Sequence, residues 1–300
     1  MNLISITDLS PGEILEVLDR ADEMKAKRSE PSSGEILAAK SIAAIFEKPS
    51  TRTRVSLEVA MTDLGGHALY LSRNDLQLGR GETIADTARV LSRYVHAIAA
   101  RVYHHATVEE LGHYAAVPVI NLLSDLEHPC QILADLMTMR ERFGRLEGLK
   151  VAWVGDGNNV CNSTILAAAL MGMEMVVASP PGFGPNGKIL DQADRLGGGT
   201  VVVTDPVKAV CGADVVETDT WVSMGDEAET ERRMAAFRRY QVNGDLLRHA
   251  SDDAIVLHCL PAHRGCEITD DVMDGPRSAI LDQSENRLHS VKAVLERLMV

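Results

Sequence analysis

The stretch Ser41-Ile42-Ala43-Ala44-Ile45-Phe46-Glu47-Lys48-Pro49-Ser50-Thr51-Arg52-Thr53-Arg54 reads as a switch of secondary structure. Ser41 to Phe46 is a short apolar run suited to a buried strand. After the polar loop, Leu57, Ala60, Met61 and Leu64 mark one face of a helix. A strand leading into a helix is the building unit of an α/β sheet. The free N–H groups and the dipole at such a helix start favour an anion. Hydroxyls and guanidiniums packed into Ser50–Arg54 supply donors matched to a phosphate dianion. Taken alone, the same residues also describe an N-cap with solvated arginines. The Gly-x-x-x-x-Gly-Lys of a P-loop is absent.

The alternation extends in both directions. Upstream, Ser10-Pro11-Gly12-Glu13 reads as a capping box with proline at the first helical position. Downstream, strands are predicted at 66–71, 97–102 and 117–121, and helices at 82–91 and 129–143. A second series opens with a strand at 150–154, followed by strands near 175–178, 200–204, 214–217 and 254–257. A last helix is predicted over 286–298. This pattern predicts an α/β fold of two doubly wound parallel-sheet domains joined by interdomain helices. The first domain is expected over 1–144, with the C-terminal helix 286–300 packing back on it, and the second over 145–285. The hinge is expected in the helix from Pro129 and the turn at 144–148.

Composition narrows the function. Of 300 residues, 45% are hydrophobic and 24% charged, enough for a core in each half. Aromatics are only 4%, so the cores are expected to be mainly aliphatic. The net charge of −13 opposes nucleic-acid or anionic-membrane binding. It does not oppose a small anion held by local arginines, because charges are screened over about 8 Å. The five cysteines are odd in number and lack C-x-x-C spacing, which favours neither disulfides nor zinc. A reducing, cytoplasmic setting is expected. Met1-Asn2-Leu3-Ile4 shows no basic stretch with a long apolar run, so no signal peptide is expected, and no apolar run approaches the ~18 residues of a membrane span.

Other motifs fall near predicted strand ends, where α/β sheets bind ligands. Arg101 closes an apolar strand. His128-Pro129-Cys130-Gln131 opens a helix with His128 and Gln131 on one face, able to contact a carbonyl oxygen and an amide nitrogen. Gly155-Asp156-Gly157-Asn158-Asn159 follows a strand and invites a dinucleotide reading. The third glycine of that pattern is missing, and no clear ribose-binding acid ends the next strand. Asn159 reads better as a polar group at the sheet's mouth. Asp219-Thr220-Trp221-Val222-Ser223-Met224-Gly225 combines an acid, a hydroxyl and a glycine, groups that suit an amino acid's ammonium and carboxylate. His258-Cys259-Leu260-Pro261 closes a further strand.

Ser-Thr-Arg-Thr-Arg, His-Pro-Cys-Gln, Asp-Thr-Trp-Val-Ser-Met-Gly and His-Cys-Leu-Pro, in this order and spacing, resemble the aspartate/ornithine carbamoyltransferase family. The likeness runs from Phe46 to Arg287. The Cys of the second motif and the last two motifs resemble its ornithine branch. The resemblance implies transfer of a carbamoyl group from carbamoyl phosphate to L-ornithine, without metal or other cofactor. It implies that Ser50, Thr51, Arg52, Thr53 and Gln77 hold the phosphate. Arg101, His128, Gln131 and Arg287 would hold the carbamoyl end, with Cys259 and Leu260 beside the reacting centre. Arg101, His128, Cys259 and Arg287 would be the catalytic groups. Asn159, Asp219, Ser223 and Met224 would bind ornithine. A homotrimer, or a multiple of trimers, is also implied. Rival readings are a carbamoyltransferase for aspartate, putrescine or an acylated ornithine, a dinucleotide-dependent dehydrogenase, and a binding protein without turnover.

Overall fold

The computed structural model describes residues 1–28, 36–74, 76–77, 81–222 and 227–300, with Glu227 by its backbone alone. The chain forms two compact units, Met1–Met137 with Glu285–Val300, and Thr138–Ser284.

Unit 1 is built from α1 (Pro11–Ala26), β1 (Ser41–Phe46), α2 (Thr51–Asp63), β2 (His67–Ser72), α3 (Ile84–Leu91), β3 (Ala97–Arg101), α4 (His105–Tyr114), β4 (Val119–Leu123) and the start of α5 (Pro129–Phe143). Its four strands are parallel in the order β2-β1-β3-β4. The central strands β1 and β3 are buried along almost their whole length. A parallel strand covered on both faces needs a continuous apolar run, which is what Ile42–Phe46 and Ala97–Ala100 provide. The Ser10 capping box forms: the Ser10 hydroxyl accepts from the Glu13 N–H, and the Glu13 carboxylate accepts from the Ser10 N–H.

Unit 2 contains β5 (Lys150–Val154), α6 (Asn159–Met171), β6 (Glu174–Ala178), α7 (Gly187–Arg195), β7 (Val201–Val203), α8 (Pro206–Val210), β8 (Val215–Thr218), α9 (Thr230–Phe237), α10 (Gly244–Leu247), β9 (Ile255–His258) and α11 (Asp270–Met273). Helix α12 (Ile280–Met299) starts here and ends in unit 1. The strands are parallel in the order β7-β6-β5-β8-β9. The two parallel-sheet α/β units are those read from the sequence.

Some details differ from the sequence reading. Helix α12 begins at Ile280, ahead of the expected 286, because Leu281 is an apolar residue on the exposed side and blurs the periodicity. Helix α4 follows His104, which makes no side-chain cap, so its start carries no signature. Helix α6 is buried on nearly every side and lacks an amphipathic pattern. The core of unit 2 is not purely aliphatic. Phe183, Trp221 and Tyr240 surround Phe237, with ring centroids 4.9, 5.9 and 6.1 Å from it.

Each sheet grows first to one side of its opening strand and then to the other. The reversal falls between β1 and β3 in unit 1 and between β5 and β8 in unit 2. The chains leaving such a pair diverge and open a crevice at the strands' carboxyl ends. In unit 2 the turn after β5 is held by glycines. Gly155 has φ +141°, a conformation closed to most residues. A Cβ at Gly157 would lie 2.2 Å from the backbone of Gly184 and Pro185. The Gly157 N–H donates to the Phe183 carbonyl at 2.8 Å. The space that a pyrophosphate would need beside Gly157 is therefore filled by the chain itself. Gly157→Ala is expected to destabilise the protein by about 1–3 kcal/mol, the usual cost of overpacking. Thermal unfolding of the purified variant measures this; an unchanged midpoint would contradict the close approach.

Candidate active site

In unit 1, β1 and β3 are in register so that Phe46 pairs with Arg101. Both loops leaving the switch point are tied at once. Glu47 donates its N–H to the Arg101 carbonyl at 2.9 Å, and its carboxylate accepts the Tyr103 N–H at 2.7 Å. The next residues enter α2, with Ser50 as N-cap accepting from the Thr53 N–H at 3.2 Å. Thr51 is exposed, Ser50 and Arg52 half-buried and Thr53 buried. Arg54 faces elsewhere. It pairs with Glu58 at 2.8 Å and lies over the Tyr70 ring, 3.7 Å from its centroid. Two positions along a helix turn a side chain by about 200°, so Arg52 and Arg54 cannot share a ligand on one face. The turn thus offers one guanidinium where the sequence suggested two.

Three distant segments converge behind this turn. Arg287, from α12, donates through Nη2 to Thr53 Oγ1 at 2.9 Å and through Nη1 to Gln131 Oε1 at 3.0 Å. Gln131 donates in turn to Asp135 Oδ1 at 2.8 Å. From Glu127 to Met139 every residue is buried, so this part of α5 has no solvent face and its polar groups need internal partners. His128 is also buried, and its pKa is driven well below the ordinary histidine value. Burial is the main cause, and the positive charges of Arg287 and Arg101 add to it. The imidazole is therefore neutral at pH 7, beside two arginines. Cys130, next in sequence, is pushed up to about 12 by burial and behaves as a packing thiol. Gln77 is exposed, and its carbonyl accepts the Glu82 N–H.

In unit 2, the residues after β5 and β8 meet across the second switch point. Asn158 caps α6, its Oδ1 accepting from the Val160 and Cys161 N–H groups. Its Nδ2 is thereby aimed at Asp219 Oδ2, 2.7 Å away. Asp219 Oδ1 accepts from the Thr220 N–H at 2.8 Å and from the Cys259 thiol at 3.1 Å. Asp219 and Cys259 are thus brought together. Asn159, expected to bind ornithine, is the half-buried first residue of α6. The sequence reading missed Asn158. An Asn directly before a helix that opens at a strand end is an N-cap signal, and a capping Asn has its amide group left to direct elsewhere. Ser223 and Met224 lie outside the described residues.

Cys259 is presented by a strained turn. Leu260 has φ +59°, in the left-handed region that non-glycine residues avoid. That conformation lets the Leu260 N–H donate to His258 Nδ1 at 2.9 Å. His258 then faces Glu267 through Nε2 at 3.2 Å, with both side chains fully buried. Donor atoms of Asp219, His258 and Cys259 lie within 4.8 Å of one another, a spacing that also suits a cation. The hydrogen bonds among Asp219, Cys259, Leu260, His258 and Glu267 account for the grouping without one.

The two units thus carry opposite chemistry: one gathers arginines around hydroxyls and amides, the other an acid, an amide and a thiol. Residues 1–141 match the model of the carbamoyl-phosphate-binding domain of aspartate/ornithine carbamoyltransferases, and residues 147–298 match that of their aspartate/ornithine-binding domain. The chain belongs to the aspartate/ornithine carbamoyltransferase family. Within that family it is 59% identical to the ornithine carbamoyltransferase of Methanosarcina acetivorans, over 99% of both chains. The structure of ornithine carbamoyltransferase from Pyrococcus furiosus is 55% identical and superposes with a TM-score of 0.95, covering 99% of this chain and 96% of that one. An N-acetyl-L-ornithine transcarbamylase, 32% identical over 99% of each chain, superposes with a TM-score of 0.89. The fold is therefore shared by enzymes with different acceptors.

The depressed His128 pKa has a thermodynamic consequence. The unfolded chain binds a proton at His128 near pH 6.5, and the folded one only well below it. Stability is therefore full above about pH 6.5 and falls as pH drops below that value. In His128→Gln this acid-side loss is expected to be shallower, as read from denaturant midpoints between pH 7 and 5. Equal slopes in the two proteins would refute the assignment.

Proposed function

We propose that this chain transfers the carbamoyl group of carbamoyl phosphate to the side-chain amine of L-ornithine, giving L-citrulline and phosphate. The observation that carries the chemistry is Arg287, which joins Thr53 of the phosphate turn to Gln131 while it and Arg101 both bear on His128. The high identity to ornithine carbamoyltransferases along the whole chain supports ornithine as acceptor.

In this reading unit 1 holds carbamoyl phosphate. Ser50, Thr51, Arg52 and Thr53 bind the phosphate at the start of α2, where backbone N–H groups point outward, and Gln77 adds a contact. Arg101, His128, Gln131 and Arg287 surround the carbamoyl group. When the amine attacks, negative charge grows on the carbamoyl oxygen. Preorganised arginines and a neutral imidazole donate to it without reorganisation. A neutral His128 suits this role, since a third cation is not needed beside two guanidiniums. Phosphate then leaves with the bonding pair, and the nitrogen loses a proton.

Unit 2 holds ornithine. Asp219 receives its ammonium, with Asn158 and Asn159 at the end of the neighbouring strand β5, and Ser223 and Met224 complete the set. Cys259 and Leu260 border the reacting amine. That amine must be neutral to attack, yet an alkyl ammonium titrates near 10.4, so selecting the free base at pH 7 costs about 4.6 kcal/mol. Alkaline pH offsets part of this cost. The enzyme acts as a homotrimer or a multiple of trimers in the cytoplasm, in arginine biosynthesis. Exposed Val55 on α2 and Leu69 on the edge strand β2 support assembly through unit 1, and five unbridged cysteines support a reducing compartment.

Arg101→Ala is expected to lower kcat by about 10²–10³-fold, with the folded state retained by circular dichroism. Full activity would remove Arg101 from the site. At low ornithine the rate is expected to rise about tenfold per pH unit while the acceptor remains mostly protonated. A flat profile from neutral to alkaline pH would contradict attack by the free amine. Citrulline formation, assayed against carbamoyl-aspartate and acetylcitrulline formation, separates ornithine from the rival acceptors.

A further inference from the structure

The Asn158–Asp219 pair belongs to two separate turns, and the side chain that fixes their spacing lies on neither. Asp156 sits two positions before Asn158, and Trp221 two positions after Asp219. Arg233, from α9, reaches both. Its Nη1 lies 2.9 Å from Asp156 Oδ2 and 3.1 Å from the Trp221 carbonyl oxygen. Only 11% of each of the Arg233 and Asp156 side chains is exposed, too little for an ordinary surface ion pair. Glu229 Oε2, one turn back on the same stretch, stands 3.4 Å from Arg233 Nε and limits its rotation. The guanidinium also lies over the Phe183 ring, 5.2 Å from the centroid. That ring packs on Phe237, which stacks on Trp221.

The Asp156 end is equally constrained. The Trp153 indole N–H donates to the Asp156 carbonyl at 2.8 Å, so the main chain of this residue is anchored to β5. Beyond it, Gly157 is pressed against the Gly184–Pro185 backbone and Asn158 is locked as a helix cap. The β5 turn is held firmly, and the Arg233 guanidinium ties the β8 turn to it beside the direct Asn158–Asp219 bond. Removing that tie loosens the Trp221 backbone and, through the short stretch between them, the setting of Asp219 against Asn158.

We propose that Arg233 is a positioning residue for acceptor binding: by clamping Asp156 and the Trp221 carbonyl it sets the Asn158–Asp219 geometry that receives ornithine. The inference rests on the reading that this pair faces ornithine. It assigns to Arg233 and Asp156 an effect on the acceptor alone, since neither lies in the unit that holds carbamoyl phosphate.

The test is steady-state kinetics of the full-length enzyme with both substrates, for Asp156→Asn, Arg233→Gln, Arg233→Lys and the double variant Asp156→Asn/Arg233→Gln. Each neutral single variant is expected to raise the KM for ornithine about tenfold, with kcat within about threefold of the parent. The KM for carbamoyl phosphate stays unchanged. The double variant is expected to be no worse than the worse single one, the mark of a shared interaction. Arg233→Lys keeps a charged donor and is expected to recover part of the ornithine affinity. If Arg233→Gln fails to fold because the buried Asp156 loses its guanidinium, the double variant carries the test, as it removes both charges of the buried pair. An unchanged ornithine KM in folded variants overturns the proposal. So does a parallel change in both KM values and kcat, which is what a merely structural ion pair would give. A parent enzyme that makes no citrulline overturns the functional reading and this inference with it; an active parent with unaffected variants overturns the inference alone.

Discussion

Two neighbouring parallel strands whose following helices cover opposite faces of a sheet cannot keep their loops together. The constraint acts twice in this chain, at β1/β3 and at β5/β8. Each time the loops diverge, and each time a few polar bonds stop the gap from becoming loose. Glu47 does this in unit 1 by binding the backbone on either side of Val102. Asn158, Asp219 and Arg233 do it in unit 2. The candidate catalytic and binding groups sit on these ties or beside them, which is why rigid positioning and chemistry are found together.

The division of labour follows from charge. Unit 1 collects Arg101 and Arg287 around a buried imidazole, although the chain as a whole carries −13. Their field is local, because it acts through a desolvated space rather than through screened solvent. Unit 2 gathers an acid whose two oxygens are each held by donors. A chain that must grip an anionic donor and a cationic acceptor gains specificity by keeping these two sets on separate sheets. The protonation of His128 is decided by burial first and by the arginines second.

Much of the architecture was legible because parallel strands buried on both faces need unbroken apolar runs, and β1, β3 and β5 have them. The strand-to-helix turn at Ser50 was legible because a capping hydroxyl stands just ahead of the apolar face at Leu57, Ala60 and Met61. Other features were not. Arg54 stands two helical positions from Arg52, and once the helix is seen to start at Thr51 that spacing, with the contacts to Glu58 and Tyr70, shows that it looks away. Arg287 was named through the family resemblance and not from its local sequence; its link to Thr53, 234 residues distant, exists only in three dimensions. Asn158 and Asn159 are adjacent and chemically identical, and the cap geometry alone distinguishes their roles. Helix α4, which begins without a side-chain cap, left no local mark at its start, and α6 has its Asn158 cap but no apolar stripe.

The turn after β5 shows how a nucleotide-like loop can be committed to another use. Val160, buried at the start of α6, stands where the third glycine of a dinucleotide pattern would fall. Replacing it with glycine would recreate the familiar consensus on paper but would not recreate the cradle, because Gly184 and Pro185 already occupy the hollow beside Gly157. Evolution toward a redox cofactor from this scaffold would have to begin by withdrawing the segment after β6, long before any motif was repaired.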